Sequence, residues 1–312
     1  MRLVALLLTL LGPALASAAT WESGTLAQAM HKARATHRWI LVDIYATWCG
    51  PCHEMDDQVY PQPEVQKALG GFVALRRDGE KDEGLTLVER YHTVGFPTLL
   101  VLDENGVEID RLMGFVEASR LVASLAGFRR GEGTLQALET RLRSTPSDEA
   151  LRAEVARRHA MRGDPTAPTE LRQVVDHDPS NQAKRASSAL LVLGKYYFLR
   201  GKHDSAHAVE VLEELRRRYP GSAEAEEAPY QLATALVAGG KVAAARVELD
   251  GWLLAGPNDA DRHNDYAWFC FKNKLWIPRG ILVAKEGLRL DPKHAELKDT
   301  LRQLTATERT TQ

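Results

Sequence analysis

The N-terminal third of the chain mixes the two hydrophobic periods that mark strands and helices. An unbroken apolar run at 39–45 predicts a central strand covered on both faces of a sheet. The dipeptide Asn105-Gly106 predicts a two-residue hairpin. Further strands are predicted at 72–78, 99–102 and 107–112, and helices at 24–38, 63–69, 85–92 and 116–125, the last ended by Gly127. This order of elements predicts an α/β fold with a mixed sheet and helices on both of its faces.

From Pro146 onward the strand pattern disappears and helix-length apolar patterns recur. Each unit closes on a proline, and the intervals between successive closing prolines are 41, 37 and 35 residues. Gly163, Gly201 and Gly240 stand where a turn between two helices belongs. The pattern predicts an all-α array of helix pairs. Its units are predicted at 148–180, 183–220, 224–257 and 262–294, closed by Pro179, Pro220, Pro257 and Pro292, with a capping helix at 296–307.

The chain begins with a segment typical of an export signal. Met1-Arg2 gives a positive start, residues 3–11 are apolar, and Ala16-Ser17-Ala18 fits a small-x-small cleavage pattern. A cleaved signal is favoured over a membrane anchor because spanning a bilayer takes about 20 apolar residues. We therefore expect a periplasmic or secreted protein. The predicted organisation is a signal peptide at 1–18, an α/β domain at 19–130, a linker at 131–147 and helical repeats at 148–312.

Composition narrows the function only by exclusion. Of the 312 residues, 44% are hydrophobic and 26% charged, which is ordinary for a globular protein. The net charge of −2 does not favour binding to nucleic acid or to an anionic membrane surface. Three cysteines are too few for a disulfide-stapled scaffold. The chemistry therefore depends on where those cysteines lie.

Two of the three cysteines lie in the motif Trp48-Cys49-Gly50-Pro51-Cys52, directly after the strand predicted at 39–45. Two thiols at a strand-to-helix turn suit exchange between dithiol and disulfide. The positive end of the helix dipole favours a thiolate at Cys49, and Cys52 can then release a mixed disulfide. A zinc site would need a second pair of Cys or His at similar spacing, so no metal is expected. A purely structural disulfide is disfavoured because closing so short a loop restricts the unfolded chain little.

Asp43 interrupts the apolar run before this motif. An ionised carboxyl in a covered strand is costly unless it is paired or protonated. Asp43 either points to a wet end of the sheet, or is a buried carboxyl with a raised pKa that accepts a proton from Cys52 through water.

Residues 20–130 resemble the thioredoxin fold. The segment 40–52 is similar to the thioredoxin active-site segment, including an acid six positions before the first cysteine. Gly95-Phe96-Pro97-Thr98 matches the cis-proline loop of that superfamily. The domain also resembles the C-terminal, thioredoxin-like domain of the periplasmic DsbD thiol:disulfide interchange proteins.

The resemblance implies that Cys49 is the nucleophile, that Cys52 is the resolving thiol and that Pro97 is in cis. The substrate side of the site is expected to comprise Trp48, Gly50, Pro51, Phe96 and Pro97. Substrates would be protein thiols and disulfides, the redox-active disulfide would be the only redox group, and a membrane or soluble protein would donate electrons.

The sequence departs from the family at one position. The lysine that usually pairs with the buried acid aligns with Ala74, with Arg76 and Arg77 nearby. Arg77 or a water molecule is a possible substitute.

The helical units resemble tetratricopeptide repeats, which implies docking of a partner protein on the array. The alternative is that the helices only pack on the α/β domain or stabilise a dimer. Cys270 and the nearby tryptophans are predicted to be core residues rather than sites. His203, His207 and His263 are predicted at the surface.

Together these features predict an exported thiol–disulfide oxidoreductase with a helical-repeat module. The Gly50-Pro51 pair favours a reductase, because members of the family with this dipeptide are mostly reductants. Two alternatives stay open: a disulfide oxidase or isomerase that uses the same residues, and a scaffold whose repeats carry the function while the thiol pair regulates docking.

Overall fold

A computed structural model describes residues 21–311, so the predicted signal peptide at 1–18 lies outside the described residues. The described residues divide into two compact units. The first comprises residues 21–88 and 96–134, and the second comprises residues 89–95 and 135–311. The domain limits proposed from the sequence stay predictions.

The first unit alternates strands and helices around one sheet. The strands predicted at 39–45 and 72–78 and the helix predicted at 63–69 are confirmed at those limits. Its elements are α1 (Leu26–Thr36), β1 (Trp39–Tyr45), α2 (Gly50–Glu54) continued by a π-helical segment (Met55–Val59), α3 (Pro63–Leu69), β2 (Phe72–Asp78), α4 (Asp82–Arg90), β3 (Thr98–Leu102), β4 (Glu108–Met113) and α5 (Ala118–Arg129).

The sheet is mixed, with the strand order β2-β1-β3-β4. β1 runs parallel to β2 and antiparallel to β3, and β3 runs antiparallel to β4. β3 is buried along its whole length and β1 at all but its two ends, as expected for central strands that are covered on both faces. The register places Asp43 of β1 opposite Arg76 of β2 and opposite Leu99 of β3. The predicted thioredoxin-like α/β fold is confirmed.

A hairpin joins β3 and β4 as predicted, but the prediction of a two-residue connection at Asn105-Gly106 is wrong. The connection between β3 and β4 is longer, because the Asp103 carboxylate accepts hydrogen bonds from the N–H groups of both Asn105 and Val107, each at 2.8 Å. An aspartate that bonds its own following backbone builds a wider turn than the dipeptide alone would.

Gly127 does not end α5, which continues to Arg129. A Cβ at Gly127 would lie 3.3 Å from the main-chain oxygen of Glu132, so glycine allows the following loop to approach the helix closely. The chain turns only at Gly131 and Gly133, whose φ angles of 73° and 67° lie in the left-handed region.

The second unit is helical in the part that the structure describes, apart from its short segment 89–95. Its helices are α6 (Leu135–Ser144), α7 (Glu149–Ala160), α8 (Ala167–His177), α9 (Arg185–Leu191) continued by a π-helical segment (Val192–Gly201), α10 (Ser205–Arg218), α11 (Ala223–Ala238), α12 (Val242–Ala255), α13 (Ala260–Asn273), α14 (Ile277–Leu290) and α15 (Ala295–Thr311). α6 lies within the stretch predicted as a linker. The predicted helix pairs correspond to α7/α8, α9/α10, α11/α12 and α13/α14, and α15 follows where a capping helix was expected.

The closing prolines predicted the ends of these helices correctly. α8, α10, α12 and α14 each end two residues before one of the closing prolines, Pro179, Pro220, Pro257 and Pro292. A proline disfavours helical backbone in the residue before it and cannot donate to the preceding turn, so it stops each helix at the same point. Gly163 and Gly240 turn between paired helices with φ angles of 70° and 75°.

His159 of α7 links three helices of the second unit. Its Nδ1 lies 2.6 Å from Glu170 Oε2 of α8, and its Nε2 lies 2.8 Å from Glu139 Oε1 of α6. The hydrogen bond that His159 donates to Glu170, assisted by the one to Glu139, raises the pKa of His159 to about 9 despite its partial burial. A charged imidazolium therefore joins the first helices of this unit at neutral pH.

Cys270 is fully buried in α13, as predicted. The prediction that His263 lies at the surface is wrong. His263 is buried because it packs where Gly287 of α14 leaves room, and its Nδ1 lies 2.7 Å from the main-chain oxygen of Asp259. Among the described helices, none is long and apolar enough to cross a membrane.

Candidate active site

The two motif cysteines form a disulfide at the start of α2. Cys49 is the N-cap of the helix, Cys52 lies in its first turn, and their Cα atoms are 5.2 Å apart. Pro51 occupies the first turn, where its missing N–H costs no helical hydrogen bond. The Cys52 N–H donates to Cys49 Sγ at 3.2 Å. An amide N–H on this sulfur stabilises negative charge there, so the geometry favours Cys49 as the thiolate.

The disulfide is covered. Cys49 is 3% exposed and Cys52 1%, and Tyr45 and Phe96 pack against the buried cluster that the two cysteines form with Ala46. Trp48, which is 39% exposed, meets Phe96 edge to face with 6.2 Å between ring centroids. An incoming thiol or disulfide can reach Cys49 only if part of this cover moves.

Two residues that sequence reasoning missed hold the cover. Glu80, in the loop after β2, accepts a 2.7 Å hydrogen bond from the Trp48 indole N–H through its carboxylate. Gly79 makes room for the Phe96 ring, since a Cβ there would lie 2.5 Å from Phe96 Cε1. The sequence offered no signal for Glu80, because its contact with Trp48 depends on where the β2–α4 loop folds back.

The Phe96–Pro97 peptide bond is cis, as the resemblance implied. The Pro97 carbonyl accepts a 2.8 Å hydrogen bond from the Gly114 N–H. The main-chain N–H and C=O of Phe96, by contrast, have no hydrogen-bond partner within residues 21–311. One donor and one acceptor on a half-buried backbone beside the disulfide can pair with an extended peptide.

Asp43 is buried within β1, at 1% exposure, and does not point to a wet end of the sheet. Burial raises the pKa of its carboxyl to about 6, although the nearby Arg76 guanidinium acts in the opposite direction. Arg76 Nε lies 3.1 Å from Asp43 Oδ2. Asp43 Oδ1 is buried and has no hydrogen-bond partner in the described part of the chain. This carboxyl can therefore change its protonation state near neutral pH.

Arg76, rather than Arg77, lies beside Asp43 where the family's lysine was expected. Arg76 follows Ala74 by two positions on β2 and so lies on the same face of the strand. Arg77 points to the other face, where its Nε lies 2.8 Å from Glu83 Oε2. The partner of Asp43 was hidden in the sequence because it depends on the register between β1 and β2.

Asp43, Arg76 and Asp56 form a second group of contacts, the acid cluster. Arg76 also contacts Asp56, which follows Cys52 by four residues on the same helical segment. The structure thus brings Cys49, Cys52, Trp48 and Phe96 together, and it places the buried Asp43 beside Arg76. No set of three or more His, Cys, Asp or Glu side chains in residues 21–311 is arranged to hold a metal ion.

Comparisons with known proteins agree with the fold of the first unit. Residues 20–104 match the family model described as "Thioredoxin-like". The thiol:disulfide interchange protein DsbD of Haemophilus ducreyi is 34% identical over 90 residues, which are 28% of this chain and 16% of that protein. DsbD 2 of Pseudomonas aeruginosa is 38% identical over 95 residues, again 16% of its length. This chain therefore spans about a sixth of the curated relatives that it matches.

Among solved structures, the reduced C-terminal domain of DsbD from Neisseria meningitidis is 30% identical. The match covers 32% of this chain and 91% of that domain, with a TM-score of 0.29. The family match and the sheet topology identify the first unit as a thioredoxin-like domain; the helical unit lies outside the family match.

Proposed function

We propose that this protein is an exported thiol–disulfide oxidoreductase that reduces disulfides of protein substrates through Cys49 and Cys52. The observation that carries the proposal is the paired, covered Cys49–Cys52 disulfide with an amide N–H on Cys49 Sγ. The names of the DsbD relatives, which describe thiol:disulfide interchange, support the same chemistry.

In the proposed reaction the reduced protein acts in two steps. The Cys49 thiolate attacks one sulfur of a substrate disulfide, a mixed disulfide forms at Cys49, and the other substrate sulfur leaves as a thiolate. Cys52 then loses its proton to Asp43 through water and attacks Cys49 Sγ, which releases the second substrate thiolate. Two electrons pass to the substrate and the Cys49–Cys52 disulfide forms. The reaction needs no cofactor, and a membrane or soluble protein thiol returns the electrons.

The substrate side of the proposed site surrounds the disulfide. Phe96, next to cis-Pro97, offers its free main-chain N–H and C=O to an extended substrate segment. Trp48 and the Gly50-Pro51 turn form the neighbouring surface, and Trp48 must shift when substrate binds. Backbone pairing gives affinity without reading side chains, which suits a protein with several substrates.

The helical unit is proposed to dock a partner, in the manner of tetratricopeptide repeats. Support comes from α12, whose outer face leaves Val247 and Leu254 exposed. These two side chains are seven residues apart and so lie on the same face of the helix, and contiguous exposed apolar patches mark interaction surfaces. Export to the periplasm, or secretion, follows from the sequence pattern at 1–18 and is tested by N-terminal sequencing of the mature protein.

The decisive experiment is the reduction potential of the Cys49–Cys52 pair, measured by equilibration in glutathione or dithiothreitol buffers. Burial raises the pKa of the third cysteine, Cys270, to about 12, so thiol trapping of the folded protein should report on Cys49 and Cys52 alone. A value near that of thioredoxin, about −270 mV, supports the reductase. A value near about −120 mV, typical of strong oxidants, contradicts it and favours an oxidase or isomerase.

A Cys49→Ser variant separates the enzyme from the scaffold alternative. The oxidoreductase proposal expects loss of disulfide exchange and of biological activity while docking persists. Full biological activity of Cys49→Ser would mean that the repeats carry the function and that the thiol pair only regulates them.

A further inference from the structure

One arginine connects the buried acid to the helix that carries Cys52. The Arg76 guanidinium directs Nη1 to Asp56 Oδ1 and Nη2 to Asp56 Oδ2, both at 2.8 Å. Only its Nε faces Asp43, at 3.1 Å from Oδ2 and without hydrogen-bond alignment. Tyr45 covers the flat face of the guanidinium, whose Cζ lies 4.2 Å from the ring centroid. Both terminal nitrogens of Arg76 thus bind Asp56. Asp43 lies close to the positive charge of Arg76 but accepts no hydrogen bond from Arg76.

Tyr60 and Arg76, which lie next to Asp43, keep their charge state near neutral pH. Tyr60, from the end of the π-helical segment, is buried, and burial raises the pKa of its hydroxyl well above the usual range. Arginine stays protonated throughout the range in which proteins are stable. A lysine at this place could share a titration with the acid, whereas Arg76 supplies a fixed charge. Asp43 is then the one buried group of this cluster that exchanges a proton.

We propose that Arg76 is a positioning residue that sets the protonation of Asp43, and that Asp56 controls how strongly Arg76 engages the Asp43 carboxyl. The inference rests on the proposed function, in which Asp43 accepts the proton of Cys52. Asp56 raises the pKa of Asp43 in two ways. It holds the guanidinium fork away from Asp43, and its own negative charge opposes ionisation of Asp43.

The test uses oxidised full-length protein with ¹³C-carboxyl-labelled aspartate, and follows the Asp43 resonance, assigned with Asp43→Asn, from pH 4 to 9. We expect Arg76→Gln to move the titration midpoint upward by about one pH unit, since a nearby opposite charge is lost. Asp56→Asn should move it downward, because the freed guanidinium can then engage Asp43. Arg76→Lys keeps the charge and should move it less than Arg76→Gln.

The matched control is Arg77→Gln. Arg77 neighbours Arg76 on β2 and is similarly buried and ion-paired, but on the opposite face with Glu83, so the Asp43 midpoint should stay unchanged. If neither Asp56→Asn nor an Arg76 variant moves the midpoint more than Arg77→Gln does, the inference is wrong. If Arg76→Gln does not fold, the downward shift expected for Asp56→Asn still decides the question.

A second readout separates this inference from the proposed function. Reduced protein mixed with dithiobis(nitrobenzoate) releases one thionitrobenzoate when Cys49 attacks and a second when Cys52 resolves the mixed disulfide. The pH profile of the second release should move in parallel with the Asp43 midpoint in each variant. If the midpoint moves and the profile does not follow, Arg76 still sets the protonation of Asp43, but Asp43 is not the proton acceptor of Cys52.

Discussion

Replacing Asp43 by asparagine should stabilise the thioredoxin-like domain, and the gain should grow with pH. Burial raises the pKa of Asp43 from 3.8 to about 6. A carboxyl with a raised pKa favours the folded state fully below the pKa of the unfolded chain. That contribution is lost as the pH rises through the folded value. Asparagine resembles the protonated acid in shape and carries no charge. The Asp43→Asn variant therefore does not lose stability as the pH rises through this range.

The size of the effect follows from linkage between protonation and folding. With pKa values of 3.8 and about 6, ionisation of Asp43 costs the folded wild type about 1.6 kcal/mol at pH 5 and about 3 kcal/mol at pH 7. The gap in unfolding free energy between variant and wild type should therefore widen by about 1.3 kcal/mol between these pH values. This corresponds to about a tenfold change in the opening equilibrium.

Hydrogen exchange of β1 (Trp39–Tyr45) measures this gap in the first unit alone. Amides of a buried central strand exchange through the largest openings, so their exchange reports the stability of the whole unit. Mass spectrometry of peptides from β1, corrected for intrinsic exchange rates, gives the free energy at pH 5 and pH 7. The control is Asp57→Asn, which removes an exposed carboxylate from the same helical region. A gap that stays constant with pH, or that narrows, would refute the conclusion that burial dominates at Asp43.

Three further variants test other contacts. Gly79→Ala places a Cβ where the Phe96 ring lies, so we expect faster reduction of the disulfide by dithiothreitol; an unchanged rate would show that the ring is no barrier. Glu80→Gln replaces a charge-assisted hydrogen bond to the Trp48 indole by a weaker neutral one, which should speed the same reaction several-fold, and slower reduction would contradict this role. His159→Gln should lower the melting temperature at pH 7 much more than at pH 10, because the wild-type ion pairs are lost as the pH rises through about 9; an equal loss at both pH values would assign His159 a packing role only.

The parts of the structure that the sequence predicted are those specified by neighbouring residues. The central strand at 39–45 follows from an unbroken apolar run, and the helix pairs follow from regularly spaced prolines and glycines. The cysteine motif could be recognised in the sequence because its chemistry depends on two cysteines three positions apart. These features need no knowledge of which distant segments meet.

The parts that the sequence did not predict depend on distant contacts. Asp43 and Arg76 are 33 positions apart, and only the parallel register of β1 and β2 sets them side by side. Alignment with the family placed its usual lysine at Ala74, which lies on the same face of β2 two residues before Arg76. Glu80 meets Trp48 through a loop, and His263 is buried because Gly287 on the next helix leaves it space. Sequence patterns predict helices and strands. Strand register and loop packing decide which charged side chains meet.

In the proposed mechanism, two groups of residues act on the two chemical steps. Trp48 and Phe96 pack beside the disulfide, with Glu80 bonded to Trp48, whereas Asp43 pairs with Arg76. Changes to the cover should alter access to Cys49 without altering the protonation of Asp43. Changes to the acid cluster should do the reverse. In the thionitrobenzoate assay, Glu80→Gln should therefore change the first release and Arg76→Gln the pH profile of the second. If either variant changed both releases equally, the cover and the acid cluster would be one coupled unit rather than two.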